Sequence, residues 1–538
     1  MTDPARDEFP ALWANPISRR RLLRFAGLGA GAVAVATVLP GCTAAAPGGE
    51  AEAADTLSAA FANTFLDLDP TTGSQVGTIA INDYVYEGLY RLDPFPPRTE
   101  ITPELAAALP EELSPTGYRI RLREGVTFHD GSPLTAEDVA FTIQRIKDPA
   151  TKSLFTRFFE VITEVRATGE HELELTLAAP TTLLVQRLML VKGMSKAAIT
   201  GSPDALKLKP VGTGPYRIGS AVSGQRVELI RFDGYTGPRK VNYDTLRISV
   251  VADPNARVSG LRTGQTKIIE DVPASGFANL AEADGVTAAG EAGEHLTGLM
   301  FHCGKPPFDD VRVRQAVLYA IDRDSITDTS FFGKASPVWG SVIQESSPDH
   351  VAPDITYSYD PERAKALLAE AGLGGGGIRI DLIAGTLDYL ASQTPIIEEN
   401  LRAVGFEPNV IPGELESLYS RVTAGEYNVF LMKGDTSAVG PTDAEFALRW
   451  LYYGDFPRSF LYWDGAPLTQ VEKLLDEALT AADDAARARL LGQVQNLVQN
   501  EVPIGRLHRT EQLTGWSKDL QGFRPSPTAG FVVDGVRG

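Results

Sequence analysis

The sequence predicts an α/β fold made of several domain-sized units, and three observations predict it. Strand-type and helix-type patterns alternate along the chain. The 538 residues suffice, at roughly 150 residues per domain, for three or four such units or for two large lobes. The composition, 43% hydrophobic and 22% charged with mean hydropathy −0.08, is that of a water-soluble globular protein, which excludes wholesale disorder and a polytopic membrane protein. No repeat at a period of about 20 to 50 residues is present, so a solenoid or propeller is not expected.

Near the start, Ser18-Arg19-Arg20-Arg21-Leu22-Leu23-Arg24 precedes an apolar run over 25–39 that stops at Pro40-Gly41-Cys42. A basic region, an apolar core and a small-residue stop form an export signal. The apolar run falls short of the roughly 20 residues a bilayer span requires. Arg19 and Arg20 sit in a pattern that resembles a twin-arginine signal, and Leu39-Pro40-Gly41-Cys42 resembles a bacterial lipobox. Residues 1–41 are therefore expected to be a lipoprotein signal peptide, Cys42 the acylated mature N-terminus, and 42–54, rich in Ala, Gly and Pro, a flexible tether. With Cys42 so used, Cys303 is the other of two cysteines, too few for a disulfide scaffold or a cysteine-only zinc site.

Beyond the tether the elements follow in order. Residues 118–122 and 171–177 alternate apolar with polar side chains, the period of half-buried strands. Thr135-Ala-Glu-Asp138 is a capping-box pattern before Val139, Ile143 and Ile146, which share one helical face. Strands are expected over 247–251 and 378–383. After Asp310, the residues Val313, Ala316, Val317, Ala320 and Ile321 recur with helical spacing. Asp360-Pro361 opens a further helix that Gly372 stops, and two more run over 468–479 and 490–498.

Patterns that would mean catalysis do not assemble. Gly372-Leu-Gly374-Gly-Gly-Gly377 has dinucleotide-fingerprint spacing, but a helix precedes it and a strand follows, the reverse of what a phosphate cradle needs. The six histidines form no helical ligand pair, and no Gly-x-Ser-x-Gly elbow or Gly-x-x-x-x-Gly-Lys loop occurs. No catalytic residue, metal site or cofactor is assigned. A net charge of −19 and a pI near 4.9 argue against nucleic acid or an anionic membrane surface as the main partner.

Residues 118–145, YRIRLREGVTFHDGSPLTAEDVAFTIQR, closely resemble the hallmark of the family 5 extracellular solute-binding proteins, the peptide, nickel and oligosaccharide receptors of ABC importers. Further blocks follow in the family's order: Leu68-Asp69-Pro70, Tyr86-Glu87-Gly88-Leu89, Pro210-Val-Gly-Thr-Gly-Pro-Tyr216, Pro307 to Ala316 with Ala320-Ile-Asp322-Arg323, and Tyr359 to Leu368. Each also has a plain structural meaning, as turn, cap or close backbone path, so the signature identifies a scaffold more than a ligand.

The resemblance implies a two-lobed periplasmic-binding-protein type II-like fold with an extra subdomain inserted in lobe I. Lobe I is placed at 55–294 plus 507–538, its insert at 91–205 and lobe II at 295–506, with crossings near 294–297 and 502–506. It implies no enzyme but a monomeric extracytoplasmic receptor, held at the membrane through Cys42, that captures a small solute, an oligopeptide first, and hands it to ABC permease subunits. A nickel or metallophore complex and an oligosaccharide are the alternatives within this class, and a secreted hydrolase the alternative outside it. By the family's pattern Asp435 stands where a lobe II aspartate pairs with a peptide's α-ammonium. The expected Trp is replaced by Met432 and the Tyr-x-Asp-Pro tail is missing, so an exposed loop aspartate is the competing reading. His302 either meets the ligand or a carried metal, or packs. Trp339, Trp450, Tyr452 and Trp463 either wall the cleft, with Tyr453 and Tyr462 nearby, or belong to a core.

Overall fold

The computed structural model describes residues 55–538 except 74, 97, 99, 203–204, 294–295, 346, 348, 435–442 and 529. Arg19, Arg20, Cys42 and Asp435 lie outside the described residues. Among those described, no helix is long and apolar enough to cross a membrane.

Two sheets organise the molecule. The first has seven strands in the order Val286–Glu291, Gln512–Ser517, Ile268–Ile269, Thr56–Phe61, Thr245–Val250, Arg226–Arg231, Tyr216–Val222. Its centre, Thr56–Phe61, is almost wholly buried and pairs in parallel with Thr245–Val250 and Ile268–Ile269, as expected of a strand covered on both faces. The second has six strands in the order Ala335–Pro337, Ile504–Thr510, Leu296–Phe301, Val429–Lys433, Ile378–Gly385, Phe406–Gly413. Each sheet carries its own apolar core. A four-stranded antiparallel sheet, Glu111–Ser114, Gly117–Arg121, Glu172–Leu177 and Ile162–Gly169, is inserted between strands of the first and packs on helix Ala136–Lys147 around Ile120, Val139, Ile143 and Leu173.

The elements expected from periodicity are present: Gly117–Arg121, Ala136–Lys147, Glu172–Leu177, Thr245–Val250, Val311–Ala320, Pro361–Glu370, Ile378–Gly385, Ala466–Leu479 and Asp484–Glu501. Thr135 and Asp138 close the capping box, and Asp360 caps its helix by accepting from Arg363 N. One expectation is displaced. The second crossing, placed near 502–506, falls at Glu511: Ile504–Thr510 stays in the second sheet and Gln512–Ser517 enters the first. Pro503 and Gly505 are turn-type residues, but here they open a strand: Ile504–Thr510 pairs with Leu296–Phe301, and that pairing holds the chain in the second sheet up to Thr510.

The signature blocks are joined by packing. Asp69 holds Arg145 through two hydrogen bonds, 3.1 and 2.6 Å, tying the loop after the central strand to the insert's helix. His129 Nε2–H donates to Gly214 O at 3.0 Å while Nδ1 accepts from Gly212 N at 3.3 Å. Burial pushes this ring's pKa down to about 4, so it stays neutral and bridges both glycines. A Cβ at Gly212 would lie 2.1 Å from Val85 O, and one at Gly214 2.3 Å from Tyr84 O. Gly212→Ala is expected to cost about 1–3 kcal/mol by overpacking, read as a lower urea midpoint at unchanged m-value.

Candidate ligand-binding cleft

The chain passes between the two lobes twice, between Glu291 and Leu296 and at Glu511, and polar groups from both lobes gather beside these crossings. On the first lobe, Glu270 is buried at the end of Ile268–Ile269. Its Oε1 accepts from Ala62 N at 3.2 Å and its Oε2 from Gly530 N at 2.8 Å. Asp271, with φ +48°, accepts from Asn63 Nδ2 and Gln512 Nε2. Arg257 braces the pair from behind, donating to the carbonyls of Glu270, Asp271, Val251 and Ala252.

On the second lobe the register sets Lys433, Thr297 and His508 side by side on three adjacent strands, at the end of the sheet where the chain enters. Directly paired residues of antiparallel strands share a face. His508 Nε2–H donates to Gln393 Oε1 at 2.9 Å, and the amide of Gln393 donates to Tyr389 O. That leaves His508 Nδ1 and Thr297 Oγ1 buried without a hydrogen-bond partner. Burial, then Lys433 and Arg323, push the His508 pKa down to about 3, so Nδ1 is an acceptor at neutral pH. Lys433 Nζ lies 4.3 Å from the Tyr389 ring centroid. The Tyr389 hydroxyl is pushed up by burial first and then by the negative charge of Asp271 on the opposite lobe, which places the two groups near one another across the seam.

Beside this seam a cavity of about 210 Å³ opens in the first lobe, between helix Val76–Val85, the hairpin of Tyr90–Leu92 and Ile101–Pro103, and the C-terminal stretch around Thr528. Fixed charges of both signs line it, Asp83 and Glu104 against Arg91 and Lys192. Arg91 lies 3.4 Å from Asp83 and 3.5 Å from Glu104. Burial alone would raise the Asp83 pKa, but Arg91, Arg239 and Lys192 outweigh it and hold the carboxyl well below the usual range. Asn82 Oδ1 is buried with no hydrogen-bond partner. The cavity wall also includes Phe155, whose ring meets Trp450 of the second lobe at 6.3 Å.

The family model described as "Bacterial extracellular solute-binding proteins, family 5 Middle" matches residues 100–457. The chain belongs to this family. It is 26% identical over 491 residues to the glutathione-binding protein GsiB of Escherichia coli O1:K1 / APEC, covering 90% of this chain and 94% of the relative. Among solved structures it resembles AgaA from A. tumefaciens R10 in complex with agropinic acid, with TM-score 0.77, 26% identity and 90% and 98% of the two chains covered. The fold of the dipeptide-binding protein of Pseudoalteromonas sp. SM9913, in complex with Met-Leu, also matches, with TM-score 0.79, 19% identity and 90% and 99% coverage. The protein is a two-lobed extracytoplasmic solute-binding protein of an ABC importer, a transport receptor and not an enzyme.

The described site residues of this solute-binding protein fall in different places. Trp450 lies on the seam, against Phe155 and Phe158 of the insert. Trp339 is half-buried, with the Arg323 guanidinium 5.0 Å from its ring and its carbonyl accepting from Gln499. Tyr452 and Trp463, 2% and 3% exposed, fill the second lobe's core, edge to face at 6.2 Å, and the Tyr452 hydroxyl accepts from Arg506. Helix Ala444–Tyr452 turns the Tyr452 side chain into this core, and Trp463 packs on it from the loop after Asp455–Phe460.

His302 is a second correction. Strand Leu296–Phe301 starts at the crossing and runs away from it, so the residue after its end lies at the far edge of the lobe. There the His302 ring stacks on Tyr462 at 4.0 Å and 6°, and burial, then Lys305, push its pKa down to about 4. Beside it, burial pushes the Cys303 thiol up to about 12, which leaves it protonated and unreactive. The seam residues Glu270, Asp271, Tyr389, Lys433 and His508 were not singled out from sequence. The one local signal was Ile-Ile-Glu-Asp, a carboxylate pair following a short apolar strand.

Glu270 provides a pH test. Burial first, then Asp271, raise its pKa from 4.5 to about 7. The folded chain thus keeps a proton that the unfolded chain releases near 4.5, so stability is fully present below that pH and falls as pH rises through about 7. Glu270→Gln is expected to remove up to one proton's worth of this slope, measured as urea midpoints at a series of pH values between the two.

Proposed function

We propose that this solute-binding protein is lipid-anchored through Cys42 after twin-arginine export and captures a short oligopeptide between its lobes for delivery to the permease. One observation carries the peptide reading: a single volume beside the seam holds carboxylates and cationic groups together, Asp83 and Glu104 with Arg91 and Lys192. A zwitterionic chain with an ammonium at one end and a carboxylate at the other complements such a wall better than a neutral sugar does. The glutathione-binding relative and the dipeptide-binding structural neighbour support the same class. Asp435, two residues beyond the strand Val429–Lys433, is proposed as the amine anchor, and Trp450 as part of the wall holding side chains. Trp339 is retained as an aromatic candidate with the same role.

Native mass spectrometry of the gently purified chain tests the ligand class directly. A co-purified peptide is expected, and a nickel complex or an oligosaccharide in its place would overturn the peptide reading. With glutathione and a dipeptide pool as probes, Asp435→Ala is expected to weaken binding by about tenfold or more, since a hydrogen bond to a charged group contributes about 1.5–3 kcal/mol. Cys42→Ala is expected to shift the protein from the membrane pellet to the soluble fraction.

A further inference from the structure

Helix Ala444–Tyr452 joins the second lobe's core through Leu448, Leu451 and Tyr452, yet its other face is docked on the insert of the first lobe. Phe446 is fully buried there, stacked on Phe158 at 4.2 Å. Arg157 lies 5.6 Å from the Trp450 ring and donates to the carbonyls of Trp450 and Tyr453 at 3.4 and 3.1 Å. At the centre is Glu445, wholly buried, with its two oxygens divided between the lobes. Oε1 accepts from Arg449 Nε on the same helix, and Oε2 accepts from Arg187 Nη2 on helix Leu184–Leu188 of the insert. Arg187, itself 1% exposed, also reaches Asp443 at 3.2 Å, and its guanidinium lies 5.5 and 5.6 Å from the Phe158 and Phe446 rings.

A charge buried between two bodies would ordinarily weld them, because separating a lone pair strands one charge without a partner. Here separation leaves neither carboxylate without a partner. Glu445 keeps Arg449, Arg449 keeps Asp476 at 3.1 Å, and Asp443 keeps its capping bond from Phe446 N at 2.8 Å. Arg187 gives up Glu445 and Asp443, and Arg157 gives up the carbonyls of Trp450 and Tyr453, each for water.

We propose that Arg187 and Glu445 form a reversible interlobe latch, with Phe158, Phe446 and Trp450 as its apolar seat, that favours the closed arrangement before any solute is bound. Arg187 is then a positioning residue: it sets how much of the receptor is closed, and a ligand's apparent affinity scales with that fraction. The latch rests on the two-lobed receptor reading and is independent of the peptide reading, so its test uses the unliganded protein.

Hydrogen exchange of the full chain carrying Arg187→Gln is expected to accelerate about tenfold, within the usual range of coupling between sites, at 154–158 and 444–450 together. The two sheets should keep wild-type protection, and Arg187→Lys should fall between the two. Unchanged exchange at both faces would overturn the latch, as would equal acceleration throughout the fold, which would make Arg187 a general brace. If Arg187→Gln does not fold, Arg157→Gln, whose guanidinium also crosses the seam, is expected to give the same pattern at smaller amplitude, and unchanged exchange in that variant overturns the proposal too.

Discussion

The whole molecule is organised around the close approach of its two crossing segments. A Cβ at Gly293 would sit 2.1 Å from Thr510 O, and one at Gly290 2.1 Å from the Glu511 carboxylate. The pair Val286–Glu291 with Gln512–Ser517 in one sheet is continued by Leu296–Phe301 with Ile504–Thr510 in the other, so one antiparallel ribbon threads both lobes. Both crossings therefore lie side by side at one edge, and any relative movement of the lobes must be absorbed there. Polar groups at the first-lobe end, Glu270, Asp271 and Gln512, and at the second-lobe end, Thr297, Lys433 and His508, face the space that such a movement opens or shuts.

Buried arginines keep each lobe rigid around this ribbon. Arg323 donates to the carbonyls of Arg506, Leu318 and Tyr357, Arg314 to those of Phe308 and Glu501, and Arg257 to four more. A guanidinium spends its fixed fork of donors on irregular backbone that helices and strands leave unpaired. The histidines act similarly. His129, His302 and His508 are all held neutral by burial, His129 pinning a glycine loop, His302 packing on Tyr462 and His508 holding Gln393. Their chemistry is that of shaped hydrogen-bonding and packing groups within a receptor.

The contact between helix Ala444–Tyr452 and the insert adds a second place where the lobes meet, away from the ribbon. Its energetic character differs. Around the ribbon the two strands are paired up to Glu291 and Gln512 in one sheet and from Leu296 and Arg509 in the other, whereas at this contact Glu445, Arg449 and Asp443 keep partners in either arrangement and the Arg187 and Arg157 guanidinia and aromatic area are exchanged with water. A receptor with one fixed and one releasable contact has a defined axis of motion and a tunable resting state.

Local order was legible from the residues themselves. The capping box at Thr135, the cap at Asp360, the glycine stop at Gly372 and the two alternating strands of the insert each depend on neighbours a few positions away, and such signals are written in sequence. So were the scaffold blocks, in which Asp69 pairs with Arg145 and His129 bridges Gly212 and Gly214. What tertiary structure alone decided is which side chains meet across the seam. Glu270 and Tyr389, or Arg187 and Glu445, are far apart in the chain, and the direction a strand runs from its crossing moved His302 to the far edge while bringing His508 to the cleft. Periodicity tells which face of an element is apolar, but which end of it reaches the ligand is a property of the assembled topology.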